Sequence, residues 1–217
     1  MKLIRVFTSF LVFSIFVISA NGQQQQTAGE WSASGKFGIK GGINLSNLYV
    51  DNVEDENMKI GLNLGFFAKV PIVRGFSIQP ELLYSSKGSK LTYNNLLGQG
   101  EYRFNLNYVE LPVLGVINLA RNFNLHGGVY AGYLVSANIK EMDENGNINE
   151  ISDLNEESFN RFDYGLVGGL GVDVQNFTIG ARYNYGLQKI GESGSVAGTF
   201  VGNAKNSAIT LYIGFGF

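Results

Sequence analysis

The sequence predicts an all-β fold, an eight-stranded antiparallel up-and-down transmembrane β-barrel. Three observations carry the prediction. From Lys36 onward, apolar residues alternate with small or polar ones at period two, the signal of strands with one buried and one contrasting face. The connections between these segments are alternately short and long. The composition is rich in glycine and aromatics, with 29 Gly, 16 Phe and 11 Tyr among 217 residues, a glycine surplus that a helical bundle would avoid.

The same composition excludes whole classes of chemistry. With no Cys, disulfide frameworks, thiolate metal sites and cysteine nucleophiles drop out. One His, His126, leaves no multi-histidine metal centre. A hydrophobic content of 45% with no glycine triplet period excludes disordered and collagen-like chains.

At the N-terminus, Lys2 and Arg5 precede an apolar run from Val6 to Ile18, and Ser19-Ala20-Asn21-Gly22 supplies small residues at a cleavage site. That run is shorter than the roughly 20 residues of a spanning helix, so residues 1–22 are expected to be a cleaved signal peptide. Losing Lys2 and Arg5 moves the formal net charge from −2 to −4, which argues against a nucleic-acid partner. Residues 23–35 follow as a short polar periplasmic segment, and 36–217 as the barrel.

Eight strands phase cleanly by the parity of their apolar residues. Their outward sets are Phe37-Ile39-Gly41-Ile43-Leu45, Ile60-Leu62-Leu64-Phe66-Ala68-Val70, Phe76-Ile78-Pro80-Leu82-Tyr84 and Val109-Leu111-Val113-Gly115-Ile117-Leu119. The remaining four are Phe123 to Val135, Phe162 to Val172, Phe177 to Leu187 and Ile209 to Phe217, each at every second residue. In the fourth strand Tyr102, Phe104 and Leu106 are apolar on the other parity, so the strand is expected to change phase near Tyr108, through a bulge or an extension beyond the membrane. The second face of each strand is mostly Gly, Ser, Thr, Asn and single charges. A soluble sandwich would need large side chains there. A small membrane barrel, apolar outside and cramped and polar inside, accounts for the inversion, and closure leaves no edge strand in hydrocarbon.

Pro71–Gly75, Ala120–Asn122 and Gln175–Asn176 read as tight periplasmic turns. Residues 47–58, 88–101, 140–160 and 189–204 read as long external loops, which places both termini in the periplasm. Phe37, Phe76, Phe123, Phe177 and Phe217 fall at the turn end on the outward parity. Tyr84, Tyr133 and Tyr185 follow 8 to 10 residues later, about one tilted spanning strand away. Two aromatic girdles are expected.

On the inward parity lie Lys40, Glu81, Glu110 and Arg182, with Asn63, Gln79, Tyr130, Asp163, Asp173 and Tyr212. Charges in a narrow lumen need partners, so Lys40 and Arg182 are expected to neutralise Glu81 and Glu110 as a structural ion-pair plug. No catalytic, cofactor or metal site is read. His126 lies near the turn end with no Ser/Asp pair that spacing assigns to it. Gly165-Leu166-Val167-Gly168-Gly169-Leu170-Gly171 has no following helix to hold a phosphate. Acids gather in the first loop (Asp51, Glu54, Asp55, Glu56) and the third (Glu141, Asp143, Glu144, Glu150, Asp153, Glu156, Glu157). The third lacks calcium-loop spacing, with Ile148 at the glycine position and Leu154 at the closing acid. Solvated acidic loops are expected, with divalent-cation bridging to lipopolysaccharide as the alternative.

Blocks of the sequence resemble the PorT-like, "porin family" outer-membrane β-barrels. They are Phe37-Gly38-Ile39-Lys40-Gly41-Gly42-Ile43-Asn44, Gln79-Pro80-Glu81-Leu82-Leu83-Tyr84-Ser85-Ser86-Lys87-Gly88, Tyr108-Val109-Glu110-Leu111-Pro112-Val113-Leu114, Gly132-Tyr133-Leu134 and Arg182-Tyr183-Asn184-Tyr185-Gly186-Leu187. The resemblance spans Lys36 to Phe217. It implies a Gram-negative outer-membrane location more than an activity, with Phe217 as the signal for the barrel-assembly machinery, and one branch of the family is linked to protein secretion. The expected role is a non-enzymatic structural or surface-binding envelope protein, contacting lipid and lipopolysaccharide and open to an extracellular ligand through its acidic loops. The rivals are a narrow channel for ions or small solutes, an accessory barrel of a secretion system, and a soluble lipocalin-like carrier. Against the channel, eight strands leave a lumen just wide enough for side chains to fill.

Overall fold

A computed structural model describes residues 35–49, 58–95, 98–120, 122–142, 148–153, 160–190 and 204–217. The expected signal peptide, nearly all of the periplasmic segment and the tips of the acidic loops lie outside the described residues. The strands are β1 (Lys36–Tyr49), β2 (Lys59–Val73), β3 (Phe76–Asn95), β4 (Gly98–Asn118), β5 (Phe123–Met142), β6 (Ile148–Asp153), β7 (Phe162–Val174), β8 (Phe177–Lys189) and β9 (Lys205–Gly216).

All pairings are antiparallel. The ladder runs β4-β3-β2-β1-β9-β8-β7-β5, and β5 pairs back onto β4, so eight strands close into a barrel. β6 is an addition to the far end of β5. The seam joins first strand to last, from Gly38↔Gly216 to Tyr49↔Lys205. Backbone hydrogen bonds from Phe217 N to Phe37 O (2.8 Å) and Phe37 N to Phe217 O (3.3 Å) fasten its end.

Three tight connections, Arg74–Gly75, 119–122 and Gln175–Asn176, define one end of the barrel, the turn end, where Lys36 and Phe217 also lie. Two-residue turns require left-handed backbone, and Gly75 (φ 86°) and Gln175 (φ 57°) supply it.

Across the barrel wall, below the upper part of β4, the phasing expected from the sequence is the one observed. Outward residues such as Ile60, Leu62, Leu64, Phe162 and Phe217 are more than half exposed, whereas Lys40, Asn44, Ser46, Asn63, Glu81 and Thr210 are buried. This inverts a soluble core, and hydrocarbon is the solvent that satisfies the apolar outer surface. The small inward residues are a packing requirement. A Cβ on Gly38 would collide with the Phe215 carbonyl and the Phe67 ring.

Two expectations are corrected. A ladder irregularity does fall between Asn107 and Tyr108 as expected, but β4 keeps its phase there, since Leu106, Tyr108 and Glu110 are all buried. The irregularity sits on β5, where Asn107↔Ser136 is followed by Tyr108↔Leu134 and Val135 is the extra residue. Leu134 and Ala137 are therefore both inward, and with Leu106, Tyr108, Ile190 and Ala204 they form an apolar cluster inside the loop end. Leu106 and Tyr108 of upper β4 belong to that cluster, which their period alone does not reveal. Residues 88–101 are no open loop either, because β3 and β4 stay paired to Asn95↔Gly98.

Candidate functional site

The inward face of β4 reads along the barrel axis from the turn end as Val116, Leu114, Pro112, Glu110, Tyr108 and Leu106, all buried. One charge sits at mid-height between apolar neighbours. β3 contributes Ser77, Glu81, Leu83, Ser85 and Lys87 to the same interior, β1 Lys40 and Asn44, β7 Asp163 and β8 Arg182. Each arrives by alternation on a strand held by two ladders, so its position is fixed by the sheet.

The charges form two clusters. In the first, Glu81 Oε1 accepts from Lys40 Nζ at 2.6 Å, and both Glu81 oxygens accept from Arg182, at 2.8 and 3.1 Å. Gln79 Nε2 also donates to Oε1 at 2.6 Å. The Tyr212 ring lies beneath both cations, 4.0 Å from Lys40 Nζ and 4.7 Å from the Arg182 guanidinium carbon. In the second, Lys87 Nζ is 2.5 Å from Glu110 Oε1 and 3.8 Å from Asp163 Oδ2. Tyr130 OH and Asn206 Nδ2 donate to Asp163 Oδ2 at 3.1 and 2.9 Å, and the Tyr130 ring lies 4.4 Å from Lys87 Nζ.

The partner assignment thus differs from the sequence expectation. Lys40 and Arg182 both go to Glu81, and Glu110 goes to Lys87. Lys87 was readable, because Glu81, Leu83, Ser85 and Lys87 share one parity, but a loop beginning at Gly88 placed it at the rim. Each cluster is unbalanced by one charge, two cations on one carboxylate and two carboxylates on one ammonium. The two imbalances are opposite, so the six charges of the two clusters sum to zero.

Between and around the clusters, neutral hydrogen bonds occupy the lumen. Asn44 accepts from Thr210 at 2.7 Å and donates to Ser85 at 3.0 Å, and Asn184 donates to Thr210 at 3.0 Å. Toward the turn end, Asp173 accepts from Lys69 (3.2 Å), Thr178 (2.6 Å) and Asn124 (3.0 Å), and Asn124 Oδ1 faces His126 Nδ1 at 3.2 Å. His126 is buried against Tyr212 and Gly169. The inward glycines of the 165–171 run lie under bulky neighbours: Tyr130 over Gly165, His126 and Arg182 over Gly169, and Asn124 over Gly171. Among the described residues no group of three or more His, Asp and Glu side chains is arranged to hold a metal ion.

Outside, Phe37 stacks on Phe66 (6.0 Å between centroids) and meets Phe217 edge-on (5.6 Å), and Phe177 contacts Phe215 (5.0 Å). Phe76 and Phe123 open their strands at the same end. Toward the other end Tyr84 and Tyr133 are exposed and Tyr185 half-buried. Phe162, which tops a descending strand, packs edge-on against Tyr133 at 5.3 Å and was not assigned to the girdle from sequence.

A closed antiparallel barrel that exposes apolar residues all round its wall and buries its charges inside is an integral β-barrel membrane protein. The chain belongs to the family described as the outer membrane protein beta-barrel domain, whose model matches residues 22–192. No curated protein sequence matches it. Among solved structures it is similar to Ail, the attachment invasion locus protein of Yersinia pestis, with 17% identity over 85% of this chain and 99% of that one and a TM-score of 0.46. It is also similar to Neisserial surface protein A, with 12% identity over 86% and 100% and a TM-score of 0.46. For OprG from Pseudomonas aeruginosa the values are 16%, 85%, 97% and 0.39.

Proposed function

We propose that this outer-membrane barrel is a non-conducting, non-enzymatic envelope protein: a structural barrel whose lumen is plugged by its own side chains and whose long hairpins form an acidic surface. The observation that carries the reading is the pair of lumen clusters. Lys40, Glu81, Glu110, Asp163 and Arg182 are each no more than 4% exposed, and Lys87 is 1% exposed. An open aqueous channel would wet such charges, whereas a plug pairs them. The apolar cluster of Leu106, Tyr108, Leu134, Ala137, Ile190 and Ala204 adds a second closure toward the loop end.

In this reading residues 1–22 are a cleaved export signal and the turn end with both termini is periplasmic. The loop end faces outward, toward lipopolysaccharide and extracellular ligands. The Phe37, Phe76, Phe123, Phe177 and Phe217 belt and the Tyr84, Tyr133 and Tyr185 belt lie at the two membrane interfaces, and Phe217 serves the barrel-assembly machinery. The resemblance to PorT-like barrels supports an envelope role and names no activity.

Conductance in planar bilayers tests the plug. The expected result is silence at moderate voltage from protein that is folded by heat-modifiable gel migration. Steady open-channel steps from the same preparation would establish the narrow-channel rival.

A further inference from the structure

Charge is sorted by face along the strands. Among residues whose side chains are described, the acids are Glu81, Glu110, Asp163 and Asp173, and all four point into the lumen. Cations also stand on the outer face, and at the loop end three of them fall on consecutive strands. Lys189 ends β8 and Lys205 begins β9, and the two are ladder partners. Arg161 immediately precedes β7. Its neighbour Asn160 binds the same stretch of β8, donating from N to Ile190 O (2.9 Å) and from Nδ2 to Lys189 O (2.8 Å).

All three side chains lie outside. Ala204 and Asn206, which flank Lys205, are buried, as is Ile190 beside Lys189, so alternation turns both lysines outward. Arg161 Nη1 donates to the hydroxyl of outward Tyr133 at 3.3 Å. Lys189 is exposed, and Arg161 and Lys205 are half-buried.

The row also has a definite height. Tyr185 of the loop-end aromatic belt pairs with Ser207, and Lys205 lies two residues, roughly 7 Å of strand, beyond it. Phe162, edge-on to Tyr133, directly follows Arg161. The cations therefore stand one step past the belt, at the level of lipid headgroups. A lysine directly opposite a lysine destabilises a strand pair, and an anion shared between them reverses that repulsion. Phosphate suits the position, because it accepts from several Lys and Arg donors at once. Across three strands the row is about 10 Å wide, room for a headgroup with more than one phosphate.

We propose that Arg161, Lys189 and Lys205 bind the phosphates of a lipopolysaccharide headgroup, whose acyl chains lie on the apolar wall below, over Phe162, Tyr183 and Leu187. The site deepens the proposed envelope role and rests on the loop end facing outward.

The test refolds the full barrel in detergent with bisphosphorylated lipid A and counts retained lipid by native mass spectrometry. One lipid A per barrel is expected. Lys189→Gln with Lys205→Gln should lower the retained fraction about tenfold, adding Arg161→Gln should abolish retention, and Lys189→Arg with Lys205→Arg should keep it. Dephosphorylated lipid A should be lost from the unaltered barrel. Its equal retention would overturn the phosphate contact, leaving the acyl chains alone, and displacement by phosphatidylglycerol at equal concentration would overturn lipopolysaccharide as the occupant. Undiminished retention by the triple Gln variant, folded by heat-modifiable migration and silent in bilayers, would overturn the row and leave the plug standing. Orientation is read separately, since the chain has no Cys of its own. Gly146→Cys, in the β5–β6 connection, should react with an impermeant maleimide on intact cells; reaction only after lysis would overturn the outward orientation and, with it, lipopolysaccharide as the native ligand.

Discussion

Arg182 and Glu81, 101 residues apart in sequence, meet in the lumen through two hydrogen bonds of 2.8 and 3.1 Å, while Lys40 takes the same carboxylate from β1 at 2.6 Å. One acid thus joins three strands, β1, β3 and β8, no two of which are neighbours in the sheet. In water such a pair is worth little, but out of water each member depends on the others.

Glu81→Gln is expected to destabilise the barrel by about 3–5 kcal/mol, because it strands two buried cations over Tyr212. Arg182→Leu should cost less, since Lys40 remains on the carboxylate. Urea midpoints in liposomes check the order. The reverse ranking would mean that Lys40 does not share the neutralisation.

Lys87→Met removes the cation that Glu110 and Asp163 share. A loss of about 3–5 kcal/mol is expected, with part of it restored by adding Glu110→Gln. The double-mutant cycle should give a coupling of at least about 1 kcal/mol. Simple additivity would show that the two residues act independently.

Phe217 is expected to make two separable contributions. Its ring against Phe37 and its backbone bonds at the seam predict that Phe217→Ala costs about 1 kcal/mol in refolded protein. As an assembly signal, it should matter far more in cells. The expected outcome is a steep fall in heat-modifiable barrel in the outer-membrane fraction despite near-normal refolding in vitro. Parallel small losses in both would reduce Phe217 to packing.

Much of the wall was legible because its rule is local. A strand in lipid must be apolar on one parity, so Ile209-Leu211-Ile213-Phe215 or Ile60-Leu62-Leu64-Phe66 declares its outward face without knowledge of its neighbours. The rule failed where the solvent changes. Leu106 and Tyr108 are apolar yet inward, because they build the cluster inside the loop end, and one extra residue at Val135 moves Ala137 onto that same face. Likewise the sharp loop boundary drawn at Gly88 hid Lys87, whose strand continues to Asn95.

The sequence by itself determined the eight strands of the closed barrel, the outward face of each across the wall, the three tight turns, and that Lys40, Glu81, Glu110 and Arg182 share one interior. These follow from period two and from the requirement that no edge face hydrocarbon. Only the tertiary structure decided which charges meet. The level of a residue in the lumen depends on the stagger of its strand around the closed sheet, a property of all eight registers together. That stagger brings Arg182 of β8 and Lys40 of β1 onto Glu81 of β3, and gives Glu110 to Lys87.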